Sequence, residues 1–170
     1  MIILITNFDK NPPIFIIGNP RSGTTLFRLM LSAHPNIYIA QECGFLEYFY
    51  DKYKSFNGKN YKIDNFIDDV LKSKKIEFWN LDKKGLKKFI YSKSPKNYKE
   101  LAASVYEYYG KKNYPNKNRW GDKNNYYLHH IEKIYNIYPE AQFLHIVRDG
   151  REVVRSYLDL KENGNNSKYA

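Results

Sequence analysis

Ile14-Phe15-Ile16-Ile17-Gly18-Asn19-Pro20-Arg21-Ser22-Gly23-Thr24-Thr25-Leu26 decides the fold. Four apolar, β-favouring residues follow Pro12-Pro13 and stop at a glycine, which reads as a buried parallel strand. Gly18 to Gly23 is a turn. Thr24 to Ala33 then has helical spacing, with Leu26, Leu29 and Met30 as its apolar positions, and His34-Pro35 ends it. Strand, glycine-rich turn and helix in that order predict an α/β fold built on a central, P-loop-like parallel sheet flanked by helices.

The turn has the glycine spacing of a Walker A loop, GxxxxGK[ST]. Glycines let successive backbone N–H groups face an anion, and the following helix adds the positive end of its dipole. Ser22, Thr24 and Thr25 offer hydroxyl donors to the same anion. Thr24 stands where the Walker lysine would be, and the nearest cation is Arg21.

Farther along, Tyr126 to Tyr138 has the spacing of one helix with Leu128, Ile131, Ile134 and Tyr135 on its apolar face. Phe143 to Val147 reads as a second buried strand, running into Arg148-Asp149-Gly150-Arg151 and a helix from Glu152 to Leu160. Asp64–Ser73 and Lys96–Tyr109 are amphipathic helices, and 113–118 is a loop. The polar tail 161–170 is expected to fray.

Composition narrows the function classes. Hydrophobic residues at 42% and aromatics at 17% describe a folded chain. No apolar run is long enough to span a bilayer, and Met1–Ile5 lacks the length and basic flank of a signal peptide. Cys43 is the only cysteine, which excludes an internal disulfide and fits a reducing, cytoplasmic setting. Residues 51–119 hold 18 Lys and Arg against 8 Asp and Glu, the whole of the +10 net charge. This lysine excess reads as a solvated surface, so nucleic acid is not an expected partner. Arginine behaves differently: Arg21, Arg28, Arg148, Arg151 and Arg155 account for five of six and lie in two short segments, a clustering that points to fork-shaped recognition of phosphate or carboxylate. His129, His130 and His145 lack metal-ligand spacing, and no metal is inferred.

Pro20-Arg21-Ser22-Gly23-Thr24-Thr25-Leu26, followed by Ala33-His34-Pro35, resembles the 5′-phosphosulfate loop of the sulfotransferase family, in particular the tyrosylprotein and related bacterial branch. Phe143–Val147 with Arg148 and, eight residues later, Ser156 resembles that family's 3′-phosphate motif. The resemblance covers residues 14–45 and 120–158. It implies 3′-phosphoadenosine 5′-phosphosulfate as co-substrate and a hydroxyl-bearing acceptor. The donor would be bound by Arg21, Ser22, Gly23, Thr24, Thr25, Arg148 and Ser156, and Arg21 would steady the bridging oxygen. Glu42 takes the place of the catalytic base. Its alternatives are a cap on the helix near Gly44, or His34 as base. Lys123 in Trp120-Gly121-Asp122-Lys123 would help neutralise the transferring group, although Asn125 replaces the usual proline two residues on.

Residues 1–170 would form one sulfotransferase domain, the N-terminal two-thirds of the usual one and so C-terminally incomplete. Residues 51–119 would be a variable, basic, mostly helical segment on the acceptor side. A P-loop kinase or ATPase, a basic nucleic-acid-binding module and an inactive donor-binding fragment are the competing readings; Thr24 and Arg148 speak against the kinase. Acceptor identity and oligomeric state are not encoded in any motif.

Overall fold

The structure, a computed structural model, describes residues 11–162 and the side chains of 11–159. The expectations for Met1–Ile5 and for most of the Asn-rich tail lie outside the described residues. Element order is β1 (Ile14–Gly18), α1 (Thr24–Ser32), β2 (Ile37–Ile39), α2 (Phe45–Tyr48), α3 (Tyr50–Tyr53), α4 (Asn60–Leu71), α5 (Lys83–Lys93), α6 (Tyr98–Asn113), β3 (Arg119–Lys123), α7 (Ile131–Ile137), β4 (Gln142–Ile146) and α8 (Gly150–Glu162). Short 3-10 turns at Ile76–Trp79 and Asn125–His129 complete it. The strands form one sheet in the order β2-β3-β1-β4, and every pairing is parallel. The expected α/β architecture is present.

Period-two alternation along β1 assigns its side chains to two cores. Phe15 and Ile17 face a large cluster with Tyr38, Trp120, Tyr127, Tyr138 and the buried residues of α4, α5 and α6. Ile14 and Ile16 face a smaller one with Ile39, Phe27 and Leu31. The large cluster is rich in aromatic rings; Tyr106 lies flat on Trp120, ring centroids 4.2 Å apart and 8° from parallel. Such contacts fix ring orientation beyond simple area burial.

Three expectations need correction. The apolar positions read on α1, Leu26, Leu29 and Met30, are all more than half exposed; Thr24, Phe27 and Leu31 face inward instead. The helix phase is set by its start at Thr24, directly after a left-handed Gly23 (φ 92°), and positions 24, 27 and 31 then share the sheet-facing side. The single helix over Tyr126–Tyr138 is two pieces, because the Asn124 side chain accepts from the Tyr126 N–H and starts a 3-10 turn, leaving α7 to begin at Ile131. Its buried residues are Tyr127, Ile134, Ile137 and Tyr138, while Ile131 and Tyr135 are exposed. Finally, β4 is not fully buried. It pairs only with β1 among the described residues, Gln142 and His145 are exposed, and Val147 beyond it is 79% exposed.

β2 is an apolar run of only three residues, β3 is mostly polar, and α5 carries five Lys in eleven residues. No helix among the described residues is long and apolar enough to cross a membrane.

Candidate functional site

β1, β3 and β4 deliver their C-terminal ends to one edge of the sheet, the place where open parallel sheets bind ligands. A cavity of about 690 Å³ opens there. The loop after β1 forms one wall. Ser22 N–H donates to the Asn19 carbonyl at 3.2 Å, Arg21 takes a left-handed conformation (φ 69°), and Gly23 follows in the same region. Gly18 must lack a side chain because a Cβ there would lie 2.6 Å from the Ile146 carbonyl oxygen of β4. α1 starts with no side chain capping its N-terminus and no acidic residue in its first turn. Its positive end therefore faces the cavity uncompensated, as an anion site needs.

The two motifs, far apart in sequence, meet here through bonds that span 135 and 127 positions. Arg21 Nε donates to Ser156 Oγ at 3.0 Å, and Arg148 Nη1 donates to the Arg21 carbonyl at 3.1 Å. Arg21, Gly23, Thr24, Thr25, Arg148 and Ser156 all line the cavity. Ser22 is the exception: it is 7% exposed and does not border the space. Of the other clustered arginines, Arg28 donates to the Ile39 carbonyl, Arg151 pairs outward with Asp149 at 2.7 Å, and Arg155 is exposed.

Glu42 follows β2 by three residues and lines the same cavity. Its Oε2 meets Lys123 Nζ at 3.0 Å and its Oε1 meets Lys75 Nζ at 3.4 Å. It does not cap α2: the residue before that helix is Gly44, and no side chain caps it. His34 sits exposed at the far end of α1, where its Nδ1 accepts from the Asn36 N–H, and does not line the cavity.

Lys123 is only 4% exposed, and its neighbour Asp122 is fully buried. Asp122 Oδ2 accepts from the hydroxyls of Tyr106 (2.6 Å) and Tyr127 (2.5 Å), and Oδ1 accepts from the Lys123 N–H at 2.7 Å. Burial pushes its carboxyl up to about 6, against the lowering effect of these three donors. The network ties β3 to α6 and to the 3-10 turn that follows. Asn125, standing where the resemblance has a proline, accepts from the Thr24 hydroxyl at 3.3 Å and so bridges that turn to the loop. Burial raises the Cys43 thiol to about 12, so it is no nucleophile. Among the described residues, no three His, Cys, Asp or Glu side chains gather as a metal site.

Sequence reasoning missed Lys74, Lys75, Tyr48 and Tyr126, which line the cavity as well. The two lysines are indistinguishable from their neighbours in a lysine-rich run. The two tyrosines are exposed and meet edge to face at 6.3 Å, a pairing across 78 positions that no local pattern announces.

The Sulfotransferase family model matches residues 12–170. The chain is 32% identical over 150 residues to a protein-tyrosine sulfotransferase of Drosophila melanogaster, covering 88% of this chain and 26% of that protein. It is 29% identical over 161 residues to protein-tyrosine sulfotransferase 1 of Danio rerio, covering 91% of this chain and 38% of that one. A stretch of 36 residues is 61% identical to protein-tyrosine sulfotransferase 1 of Rattus norvegicus, 21% of this chain and 10% of that protein. The chain thus spans well under half the length of these relatives. With a match over nearly all its residues and a loop-and-arginine site at the end of a parallel sheet, the chain belongs to the sulfotransferase family.

Proposed function

We propose that this chain binds 3′-phosphoadenosine 5′-phosphosulfate and transfers its sulfuryl group to an acceptor hydroxyl. One observation carries the reading: the Gly18–Thr25 loop, the Arg148–Ser156 pair and the Glu42–Lys123 pair converge on a single cavity. The parts suit a donor with two separate anionic ends. The loop and the open N-terminus of α1 take the 5′-phosphosulfate, with Arg21 placed to offset charge on the leaving oxygen. Arg148 and Ser156 take the 3′-phosphate. Glu42 accepts the acceptor's proton as the new bond forms, and Lys123, buried and fixed on β3, holds it in place and offsets charge on the group in transit. Sulfuryl transfer, like phosphoryl transfer, relies mainly on such positioning and charge stabilisation.

Residues 1–170 act as one domain in this reading, with 51–119 on the acceptor side; Lys74 and Lys75 bring that segment to the cavity wall. Among peptide tyrosine, sugar and small alcohol, the names of the relatives favour a tyrosine hydroxyl. The test is calorimetry with adenosine 3′,5′-bisphosphate in the presence of a metal chelator, against ATP with magnesium. Binding of the bisphosphate is expected. ATP binding that depends on magnesium, with no heat from the bisphosphate, would replace this reading with a kinase-like one.

A further inference from the structure

Both oxygens of Glu42 are occupied by ammonium groups, and the two lysines are held in different ways. Lys123 belongs to a sheet strand, and its side chain is 5% exposed. Lys75 comes from the turn after α4, is 21% exposed at the side chain, and has a left-handed backbone (φ 70°, ψ 0°) that residues other than glycine, Asn and Asp rarely adopt. Four non-glycine residues among those described have positive φ, and two of them, Arg21 and Lys75, are cations that line this cavity. Strain of this kind persists only where surrounding structure imposes it, and it collects at functional sites. Here the imposing contacts are visible. Trp79, fully buried, donates its indole N–H to the Gln41 carbonyl at 2.9 Å, which pins the Lys75 turn directly beside Glu42.

A general base needs one oxygen within hydrogen-bond reach of the proton it removes. Oε2 is committed to a buried, rigid partner, so Oε1 is the oxygen the acceptor must reach. We propose that Lys75 is a gate on the candidate base: it occupies the Oε1 position in the resting protein, keeps water from it, and is displaced by the incoming acceptor hydroxyl. Lys75 is thus a positioning residue, and this role rests on reading Glu42 as the base.

The consequence without the gate is a defined side reaction. Glu42 Oε1 takes a proton from water, and the water oxygen forms a bond to the donor's sulfur. The bond from sulfur to the bridging 5′-phosphate oxygen breaks, and its electron pair stays on that oxygen. Adenosine 3′,5′-bisphosphate and hydrogen sulfate leave, and Glu42 returns the proton to solvent.

Lys75→Gly is the informative variant, because glycine accepts the left-handed backbone and the fold is not put at risk. Lys75→Arg restores the cation. The first readout needs no turnover: carbodiimide-driven coupling of glycine ethyl ester to Glu42, followed by mass spectrometry. Lys75→Gly should label several-fold faster than wild type and Lys75→Arg at the wild-type rate; equal labelling of all three overturns the gate. The second is sulfate release from the donor without acceptor, which should rise in Lys75→Gly and vanish when Glu42→Gln is added. Unchanged or slower release from Lys75→Gly, in a protein that cleaves the donor, also overturns it. If adenosine 3′,5′-bisphosphate does not bind at all, it is the sulfuryl-transfer reading that fails, and the labelling alone decides whether Lys75 covers Glu42.

Discussion

Arg21 Nε donates to Ser156 Oγ at 3.0 Å across 135 positions of sequence, and Arg148 returns the connection by donating to the Arg21 carbonyl. The loop and α8 therefore hold each other, so a change in one proposed anion site is felt in the other. Arg148→Ala removes both the proposed 3′-phosphate donor and this clasp. Affinity for adenosine 3′,5′-bisphosphate is expected to fall by about 10- to 100-fold, the range for a charge-assisted hydrogen bond. Arg151→Ala loses only an outward pair with Asp149, and should change affinity by less than about fivefold. Calorimetry on both variants checks this; matching losses would mean that the 3′-phosphate sits elsewhere.

The two glycines of the loop are constrained for different reasons, and alanine separates them. At Gly23 a Cβ meets nothing within 4 Å, so the cost is the left-handed backbone alone, about 1 kcal/mol. At Gly18 it meets a strand carbonyl at 2.6 Å, and β1 or β4 must move, at about 2–3 kcal/mol. Urea denaturation should rank Gly18→Ala below Gly23→Ala. The reverse order would show that the β1–β4 approach is looser than its geometry indicates.

What could be read from sequence was what is local. Ile14 to Thr25 carries strand, turn and helix within a dozen residues, and Arg148 with Ser156 lies within one helix of a β-rich run. β2 and β3 escaped because Ile37–Ile39 is three residues long and Arg119–Lys123 is mostly polar, and their strand character comes from pairing with β1 and each other. The inward face of α1 escaped because Leu26, Leu29 and Met30 satisfy helical spacing as well as Phe27 and Leu31 do. Only the point where the helix begins decides between them. Lys75 escaped because its role depends on a backbone conformation and on Trp79, neither of which spacing reveals.

Asp122 gives the stability a pH dependence of its own. Its carboxyl is raised to about 6 in the folded chain from an ordinary 3.8, so the native state holds the proton more tightly than the unfolded state does. Stability from this group is fully present below about pH 4 and is lost as pH rises toward 6, by about 3 kcal/mol in all. Asp122→Asn cannot ionise. The stability of wild type minus that of Asp122→Asn should therefore decrease between pH 4 and pH 6 and be flat above. Denaturation at a series of pH values measures it, and a difference that stays level or increases through that window would exclude a raised Asp122.

Glu42 tests the chemistry and the packing together. Glu42→Gln keeps an amide oxygen that can still accept from Lys123 Nζ, but it cannot take up a proton from an acceptor hydroxyl. Turnover should fall by about 10²–10⁴-fold, the range for a general base, while affinity for adenosine 3′,5′-bisphosphate stays within a few-fold. Glu42→Ala adds a second defect, since it leaves the Lys123 ammonium, 5% exposed at the side chain, without its carboxylate. The pair is half-buried on the Glu42 side, so removing its carboxylate costs less than a fully buried pair would, about 3–5 kcal/mol, yet the melting temperature should still drop more for Ala than for Gln. A structural role alone would move both melting temperatures and leave turnover per folded molecule unchanged. Near-normal turnover in a well-folded Glu42→Gln would remove Glu42 as the base. His34, exposed at the far end of α1, is not placed to replace it, so the proton would then have to leave through water or the donor itself.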